Sequence, residues 1–422
     1  MFSRPLGRIS SAFATLNRPR LLLFTSLSGA SLFMFSCSSC RGSRAKAEPI
    51  MSDQDMNHPH AHHTGKTGAH RFRNPWLSAT SHGLGDVIKW QIHGTRPKLP
   101  EPGSLPVEET DWKAVEQPPP DAVQVTWIGH ASFLVQFDGV NVLTDPIFSE
   151  RCSPVSFAGP KRIVPPPFPT DRLPRVDAVI ISHNHYDHLD VGTVKALRDK
   201  VGMWYVPLGI RSWLLDSGVK PERVVELDWW QEHALPVETR QQQQQQVGAK
   251  QDGNNSVRVV CTPCQHFSGR SLFDRDATLW ASWSLVGPTK RFYFAGDTGY
   301  RSVPEGVEDS QLEALNLPIC PVFKDIGEKL GPFDLACIPI GAYIPRWFMS
   351  PVHCNPRDAV DLHVDIRSKQ SVGMHWGTFV LSDEPVLEPP VQLALELQAK
   401  ALPLDQFVAL RHGQTRAYRS NP

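Results

Sequence analysis

Three imidazoles and a carboxylate fall within six residues, His183-Asn184-His185-Tyr186-Asp187-His188, directly after the mostly apolar run Val176-Asp177-Ala178-Val179-Ile180. A chain built this way must end a buried strand in a tight turn that aims four side chains at one point. That requirement ties the fold to the edge of a sheet. Imidazole and carboxylate suit zinc or iron, and a donor set without thiolate leaves positions open for water. The competing reading is a polar surface loop rich in His, but this density and order after a strand argue against it. The chemistry that follows is that of a metal-dependent hydrolase.

Four residues in one turn do not complete a two-metal centre, so further ligands must come from other strand ends. His266 follows the strand-like Val257-Arg258-Val259-Val260-Cys261 and the turn Thr262-Pro263. Asp297 follows Arg291-Phe292-Tyr293-Phe294-Ala295 and one Gly, and His375 follows Ser371-Val372-Gly373-Met374. Ligands on rigid strand ends hold geometry better than ligands on mobile loops. Singly, each has an ordinary explanation: a hydrogen-bonded structural His, or an Asp that forms a turn beside Gly. Three of them at strand exits, in a chain that already carries the His183 cluster, decide for ligands.

The folded body starts near Ala122. Val123 to His130, Ser132 to Phe137 and Val140 to Thr144 read as three strands, the last two joined by the hairpin signal Asp138-Gly139. Beyond the metal turn, helices (Leu189 to Val201, Ile210 to Ser217) alternate with strands (Met203 to Pro207, Arg223 to Leu227). Hairpins followed by alternation predict helices layered over a mixed sheet. Cys261 and Cys264 have the spacing of a redox or zinc pair, but no second pair follows, and they read as packing residues leading to His266. The eight Cys do not make a disulfide framework in a chain this long.

Outside the body, composition changes. With 43 basic and 43 acidic residues the chain carries no global footprint for nucleic acid, and no nucleic-acid partner is expected. Residues 1–47 hold seven Arg or Lys and no acid, which is the composition of a mitochondrial presequence. Within them Leu21 to Cys37 is free of charge, and about 17 residues is the lower limit for spanning a bilayer. A cleaved secretory signal is the competing reading; a presequence followed by an anchor, placing the protein at the mitochondrial inner membrane, is the expectation. Residues 48–120 are expected to form a His- and Pro-rich arm and linker, in which the run His58, His60, His62 and His63 has the composition to bind metal adventitiously but reads as part of a solvated arm. Residues 121–422 form the catalytic domain, interrupted at 237–256 by a Gln-rich insertion that cannot bury enough apolar surface to fold.

The order His-x-His-x-Asp-His, a distant His, an Asp in Gly-Asp-Thr-Gly and a final His resembles the metallo-β-lactamase superfamily. Longer motifs narrow the resemblance: Trp127-Ile-Gly-His130-Ala, Thr144-Asp145-Pro-Ile-Phe-Ser149, Gly159-Pro-Lys-Arg162, Leu227-Asp-Trp-Trp230 and His375-Trp-Gly-Thr378. With Gly331-Pro-Phe-Asp334, Ile338-Pro-Ile-Gly-Ala-Tyr343 and Pro345-Arg-Trp-Phe348 they are similar to N-acylphosphatidylethanolamine-hydrolysing phospholipase D, from about Arg71 to His412. The amino-terminal segment, the His-rich arm and the Gln tract lie outside that likeness.

The resemblance implies an α/β fold, the metallo-β-lactamase αββα four-layer sandwich, with two zinc ions per subunit. It places His183, His185 and His266 on one ion, Asp187, His188 and His375 on the other, and Asp297 between them. The implied substrate is a membrane phospholipid whose ethanolamine nitrogen is acylated, cleaved to phosphatidic acid and an N-acylethanolamine. Asp297 and Asp187 become catalytic residues, as does His353 in Val352-His353-Cys354-Asn355, through phosphate contact or leaving-group protonation. Tyr343 to Met349 could line an acyl channel or simply pack, as could Trp229 and Trp230. A homodimer is also implied. The alternatives are a soluble hydrolase of this fold acting on lactones or other phosphodiesters, and a non-catalytic lipid-binding scaffold, which would have lost ligands.

Overall fold

The computed structural model describes residues 61–64, 71–237, 256–271 and 273–419. The presequence and anchor (1–47, with 21–37), His58, His60 and nearly all of the Gln-rich insertion lie outside the described residues.

Two short strands, β1 (His63–Thr64) and β2 (Arg71–Phe72), pair with each other ahead of the main body. The first large sheet takes β3 (Ala122–Gly129), β4 (Ser132–Phe137), β5 (Val140–Thr144), β6 (Val176–Ile180), β7 (Val201–Pro207) and β8 (Val224–Leu227). The second takes β9 (Glu232–Pro236), β10 (Ser256–Thr262), β11 (Ser282–Val286), β12 (Arg291–Phe294), β13 (Leu335–Pro339), β14 (Ser371–Met374) and β15 (Phe407–Ala409). The last strand, β16 (Thr415–Arg419), returns to the first sheet beside β3, so each sheet has seven strands.

Both sheets are mixed. The opening hairpins are antiparallel, with Asp138 and Gly139 both at positive φ in the β4–β5 turn, as a tight hairpin demands. From β5 through β8, and from β12 through β15, the pairing is parallel; a long irregular loop (145–175) makes the β5–β6 crossover and helices make the others.

Strand alternation assigns the faces. Phe133, Val135 and Phe137 of β4 point into the core shared with Trp283, Leu285 and Phe292 of the second sheet, whereas Leu134 packs with Trp204 and Val206 on the opposite face. That outer face is covered by Val194 and Leu197 of the helix Val191–Leu197 and Leu214 of Arg211–Asp216. Phe323, Leu362 and Leu393, from helices Val322–Lys329, Pro356–Asp365 and Glu388–Ala399, cover the second sheet. The result is the αββα four-layer sandwich.

Strand direction positions the site. β5 and β6 run parallel in one sheet, and β12 and β14 run the same way through β13 in the other. β10 is antiparallel to β11, which is antiparallel to β12, so β10 also ends on that edge. The exits of all five strands therefore meet at one edge of the sandwich.

Candidate metal centre

The loop after β6 is anchored before it reaches the ligands. Trp283 Nε1 donates to Ile181 O at 2.9 Å, and the Ala281 amide donates to Ser182 O at 2.9 Å, tying the loop to the second sheet. At its far end Asp190 caps the helix Val191–Leu197 by accepting from the Gly192 and Thr193 amides. The four loop side chains between these anchors are buried: His183, His185, Asp187 and His188 are each at most 6% exposed.

His183 Nε2 lies 2.8 Å from His185 Nδ1, which lies 3.3 Å from His266 Nε2. These three donor atoms form one convergent group. A second group gathers His188 Nε2 and His375 Nε2 around Asp187 Oδ2, at 3.4 and 3.5 Å. Asp297 Oδ2 sits between the groups, 3.1 Å from His188 Nε2 and from His375 Nε2, and 3.9 Å from His183 Nε2 and His266 Nε2. All seven residues named from the sequence are brought together, three from strand exits of the second sheet and four from the first.

Neighbouring groups fix which imidazole nitrogen faces the centre. Asp145 Oδ2 takes the Nδ1 side of His188 at 2.7 Å, Ser182 Oγ that of His183 at 2.8 Å, and Val352 O that of His266 at 2.9 Å. Each leaves Nε2 for a ligand role, which is how partners of metal-binding histidines set their tautomer. His130 Nε2 bonds Asp187 Oδ2 at 2.9 Å and orients that carboxylate. Asp145 and His130 are the functional residues that sequence reasoning did not single out; both appeared only inside family motifs. His130, Asp145 and His375 all have positive φ, a costly backbone state for residues with a Cβ, of order 1 kcal/mol each or more. At Gly296 (φ +60°) an added Cβ would lie 2.6 Å from Ser182 Cβ, so the turn carrying Asp297 admits only glycine.

The electrostatics suit a cation. Burial, reinforced by neighbouring imidazoles, holds His183 well below the usual histidine range; burial outweighs Asp297 at His266 and brings His185 down to about 3. These are neutral imidazoles, the form that binds metal. Burial would raise Asp187 and Asp297, but His188 outweighs it and keeps both carboxyls well below their ordinary values. Burial would lower His188 and His375; the two carboxylates overcome it, raising His188 well above its ordinary value and His375 to about 9. Two anionic carboxylates thus demand positive charge beside them. Despite this, His188 Nε2, His375 Nε2 and Asp297 Oδ1 are buried without a hydrogen-bond partner, a state native structures rarely leave unresolved. The donor set fits divalent metal.

His353 lies in the loop before the helix Pro356–Asp365, with Nδ1 3.9 Å from Asp297 Oδ2 and its ring 5.2 Å from that of His266. Burial lowers it to about 4, and its Nδ1 has no hydrogen-bond partner. Cys261 and Cys264 are buried free thiols, their pKa pushed up by burial, in keeping with packing.

A cleft opens onto Asp187, Asp297, His353 and His375. Its apolar wall comes from Trp90, Phe267, Phe348, Met349 and Leu381, and Arg275 brings a guanidinium to it. Phe348 and Met349 were expected as candidates, whereas Trp229 packs elsewhere, against Trp76. Trp90 belongs to the helix Leu84–His93, inside the segment that composition marks as linker, and packs with Phe348. On the other side of that helix Leu84, Ile88 and Ile92 are 45, 49 and 69% exposed. Among the described residues no helix is long and apolar enough to cross a membrane.

Residues 140–376 match the family model of the β-lactamase superfamily domain. The chain is 40% identical over 281 residues to N-acyl-phosphatidylethanolamine-hydrolyzing phospholipase D 1 of Caenorhabditis elegans, covering 65% of this chain and 70% of that protein. It is 34% identical over 273 residues to the mitochondrial N-acyl-phosphatidylethanolamine-hydrolyzing phospholipase D of Saccharomyces cerevisiae, covering 64% of this chain and 51% of that protein. Among solved structures, an isothiocyanate hydrolase from Delia radicum gut bacteria aligns over 70% of this chain and 99% of its own, at 18% identity and a TM-score of 0.48. Matched over more than half its length by the superfamily model, and by the worm enzyme at 40% identity, the chain belongs to the N-acyl-phosphatidylethanolamine-hydrolysing phospholipase D family of the β-lactamase superfamily and is a metal-dependent hydrolase.

Proposed function

We propose that the protein hydrolyses N-acylphosphatidylethanolamine to an N-acylethanolamine and phosphatidic acid, using two zinc ions per subunit. The observation that carries this reading is the apolar cleft opening directly onto the two donor groups, which brings a lipid chain and a phosphodiester to one place. His183, His185 and His266 would hold one ion, Asp187, His188 and His375 the other, with Asp297 shared. A donor set of imidazole and carboxylate without thiolate supports zinc. Bound there, the metal would bring the pKa of water toward neutrality and offset charge on the phosphoryl oxygens.

The chain's own residues supply the rest. Asp145 and His130 keep His188 and Asp187 aimed, and burial removes competing water from the donors. Trp90, Phe348 and Leu381 hold the acyl chains, and Arg275 faces the headgroup phosphate. Hydrolysis breaks the bond between phosphorus and the ethanolamine oxygen; water supplies the oxygen that phosphatidic acid retains. The departing oxygen takes up a proton released by the attacking water, and His353, kept neutral by burial, holds a phosphoryl oxygen by its N–H at the cleft wall.

The exposed stripe Leu84, Ile88, Ile92 supports contact with a lipid surface. The basic, acid-free 1–47 segment and the yeast relative's mitochondrial designation support a mitochondrial inner-membrane location, and the family resemblance supports a homodimer. Imaging a fusion of residues 1–46 and sedimentation analysis test these two points. For the reaction, purified protein is assayed on N-acylphosphatidylethanolamine in mixed micelles and on bis-p-nitrophenyl phosphate, with products identified by mass spectrometry. Turnover of the soluble diester alone overturns the lipid assignment.

A further inference from the structure

His62 and His63, expected in a solvated arm, converge instead on one carboxylate of the catalytic body. His62 Nε2 lies 2.7 Å from Asp228 Oδ1, and His63 Nε2 lies 2.8 Å from Asp228 Oδ2. The His62 ring stacks on Trp229 with centroids 4.2 Å apart and is 2% exposed. The Arg73 amide donates to His62 O at 2.9 Å, and Arg73 Nε to Ala61 O at 3.1 Å, which fixes the backbone that carries the pair. Asp228, at the exit of β8, is held in turn by the Trp229 amide at 2.8 Å. The two imidazoles outweigh burial and bring its carboxyl down to about 2, so it is an anion.

We propose that His62, His63 and Asp228 form a third metal site, for a divalent cation of the zinc class, separate from the catalytic centre. The three donor atoms lie within 4.8 Å of one another, and two imidazoles with one carboxylate are a ligand set such ions accept. The His63 side chain is 31% exposed, which leaves a face for water as fourth ligand and a route of entry. In a tetrahedral zinc site with bonds of about 2.0–2.1 Å, neighbouring N and O ligands stand roughly 3.3 Å apart. The present contacts therefore open by about half an ångström to admit the ion. His62 and the two-residue strand β1 after it, which bears His63, belong to neither large sheet, so the pair can shift that far without disturbing either.

The position gives the ion a structural task. Farther along the arm Asn74 Nδ2 donates to His266 O at 2.8 Å, and Ser78 Oγ donates to Gln265 Oε1 at 2.6 Å. A cation fastening His62 and His63 to Asp228 thus secures the segment that braces the loop of His266.

The test uses the full chain equilibrated with zinc, desalted, and analysed for zinc by mass spectrometry. The unaltered protein is expected to retain one zinc per chain more than either His62→Ala/His63→Ala or Asp228→Asn. Equal zinc in all three overturns the proposal. So does zinc lost from the double variant yet retained by Asp228→Asn, because the arm imidazoles would then act without the carboxylate. Should a variant fail to fold, the unaltered protein decides. Carbethoxylation of His63, the accessible member of the pair, mapped on peptides, is expected to fall at least about fivefold on adding zinc, and labelling indifferent to zinc overturns the site. Both readouts are local to these residues, so their failure is distinct from failure of the catalytic reading.

Discussion

Replacing Asp145 by Asn isolates the contribution of a residue that touches no substrate. Its carboxylate is fully buried and accepts three hydrogen bonds: the Ser182 amide on Oδ1, and the Ser182 hydroxyl and His188 Nδ1 on Oδ2. Asn keeps the volume but offers one acceptor oxygen. If that oxygen keeps the Ser182 amide, the new NH2 faces His188 Nδ1 and drives the imidazole proton to Nε2, the atom aimed at Asp297 and Asp187. If the amide flips, a buried Ser182 N–H loses its partner at a cost of about 1–3 kcal/mol. A charge-assisted hydrogen bond of about 1.5–3 kcal/mol corresponds to roughly 10–150-fold in affinity, in line with the 10–100-fold typical of partners behind a metal ligand. Activity on bis-p-nitrophenyl phosphate, titrated in zinc buffers, is therefore expected to reach half-maximum at about 10–100-fold higher free zinc. At saturating zinc kcat should stay within several-fold of the unaltered protein. An unchanged zinc midpoint would refute the argument that Asp145 sets the tautomer of His188.

Four other outcomes follow from the same structure. Dialysis against a chelator is expected to abolish hydrolysis of both substrates and added zinc to restore it; activity that survives complete metal removal, checked by elemental analysis, contradicts the centre. Leu381→Ala removes part of the cleft wall, worth about 2 kcal/mol of apolar contact, and should raise KM for the lipid roughly 10–30-fold while leaving the soluble diester unaffected. Gly296→Ala drives a Cβ into Ser182 at positive φ and should lower both Tm and zinc content, measured by calorimetry and elemental analysis. Burial depresses His363 and His412 to about 4 from an ordinary 6.5, so each binds its proton more weakly folded than unfolded. Their stability contribution is present above pH 6.5 and lost as pH falls toward 4, by about 2 kcal/mol per histidine between pH 7 and 5. Urea melts of His363→Asn should show a shallower pH slope over that window, and an identical slope would count against the assignment.

What could be read in the sequence is what local pattern encodes. The His183–His188 turn, the strand exits at His266, Asp297 and His375, and the three opening strands are periodic or contiguous signals, and each of these elements is present in the structure. Asp145 and His130 are different. Their roles depend on positive-φ turns just after β5 and β3 that bring them under ligands 43 and 57 positions away, and no sequence spacing records that. The cleft wall was hidden for another reason. The helix Leu84–His93 lies in a Pro- and His-rich stretch, and its buried positions Val87 and Trp90 are too few to make a periodic stripe. His62 and His63 were misjudged because their partner, Asp228, lies some 165 residues away and carries no signal of its own.

The two donor groups have one property whose consequence reaches beyond catalysis: each mixes ligands from both halves of the sandwich. His183 and His185 leave the first sheet and His266 the second; Asp187 and His188 leave the first and His375 the second. An ion bound in either group adds a cross-link between sheets that otherwise meet through side-chain packing and a few hydrogen bonds such as Trp283 Nε1 to Ile181 O. Any ligand that binds only the folded chain stabilises it, by about 4 kcal/mol at a free concentration a thousand times its Kd. Because the linkage runs across the interface, that energy opposes separation of the halves more than fraying within either one. Metal supply would then bear on the stability of the folded enzyme as well as on its turnover.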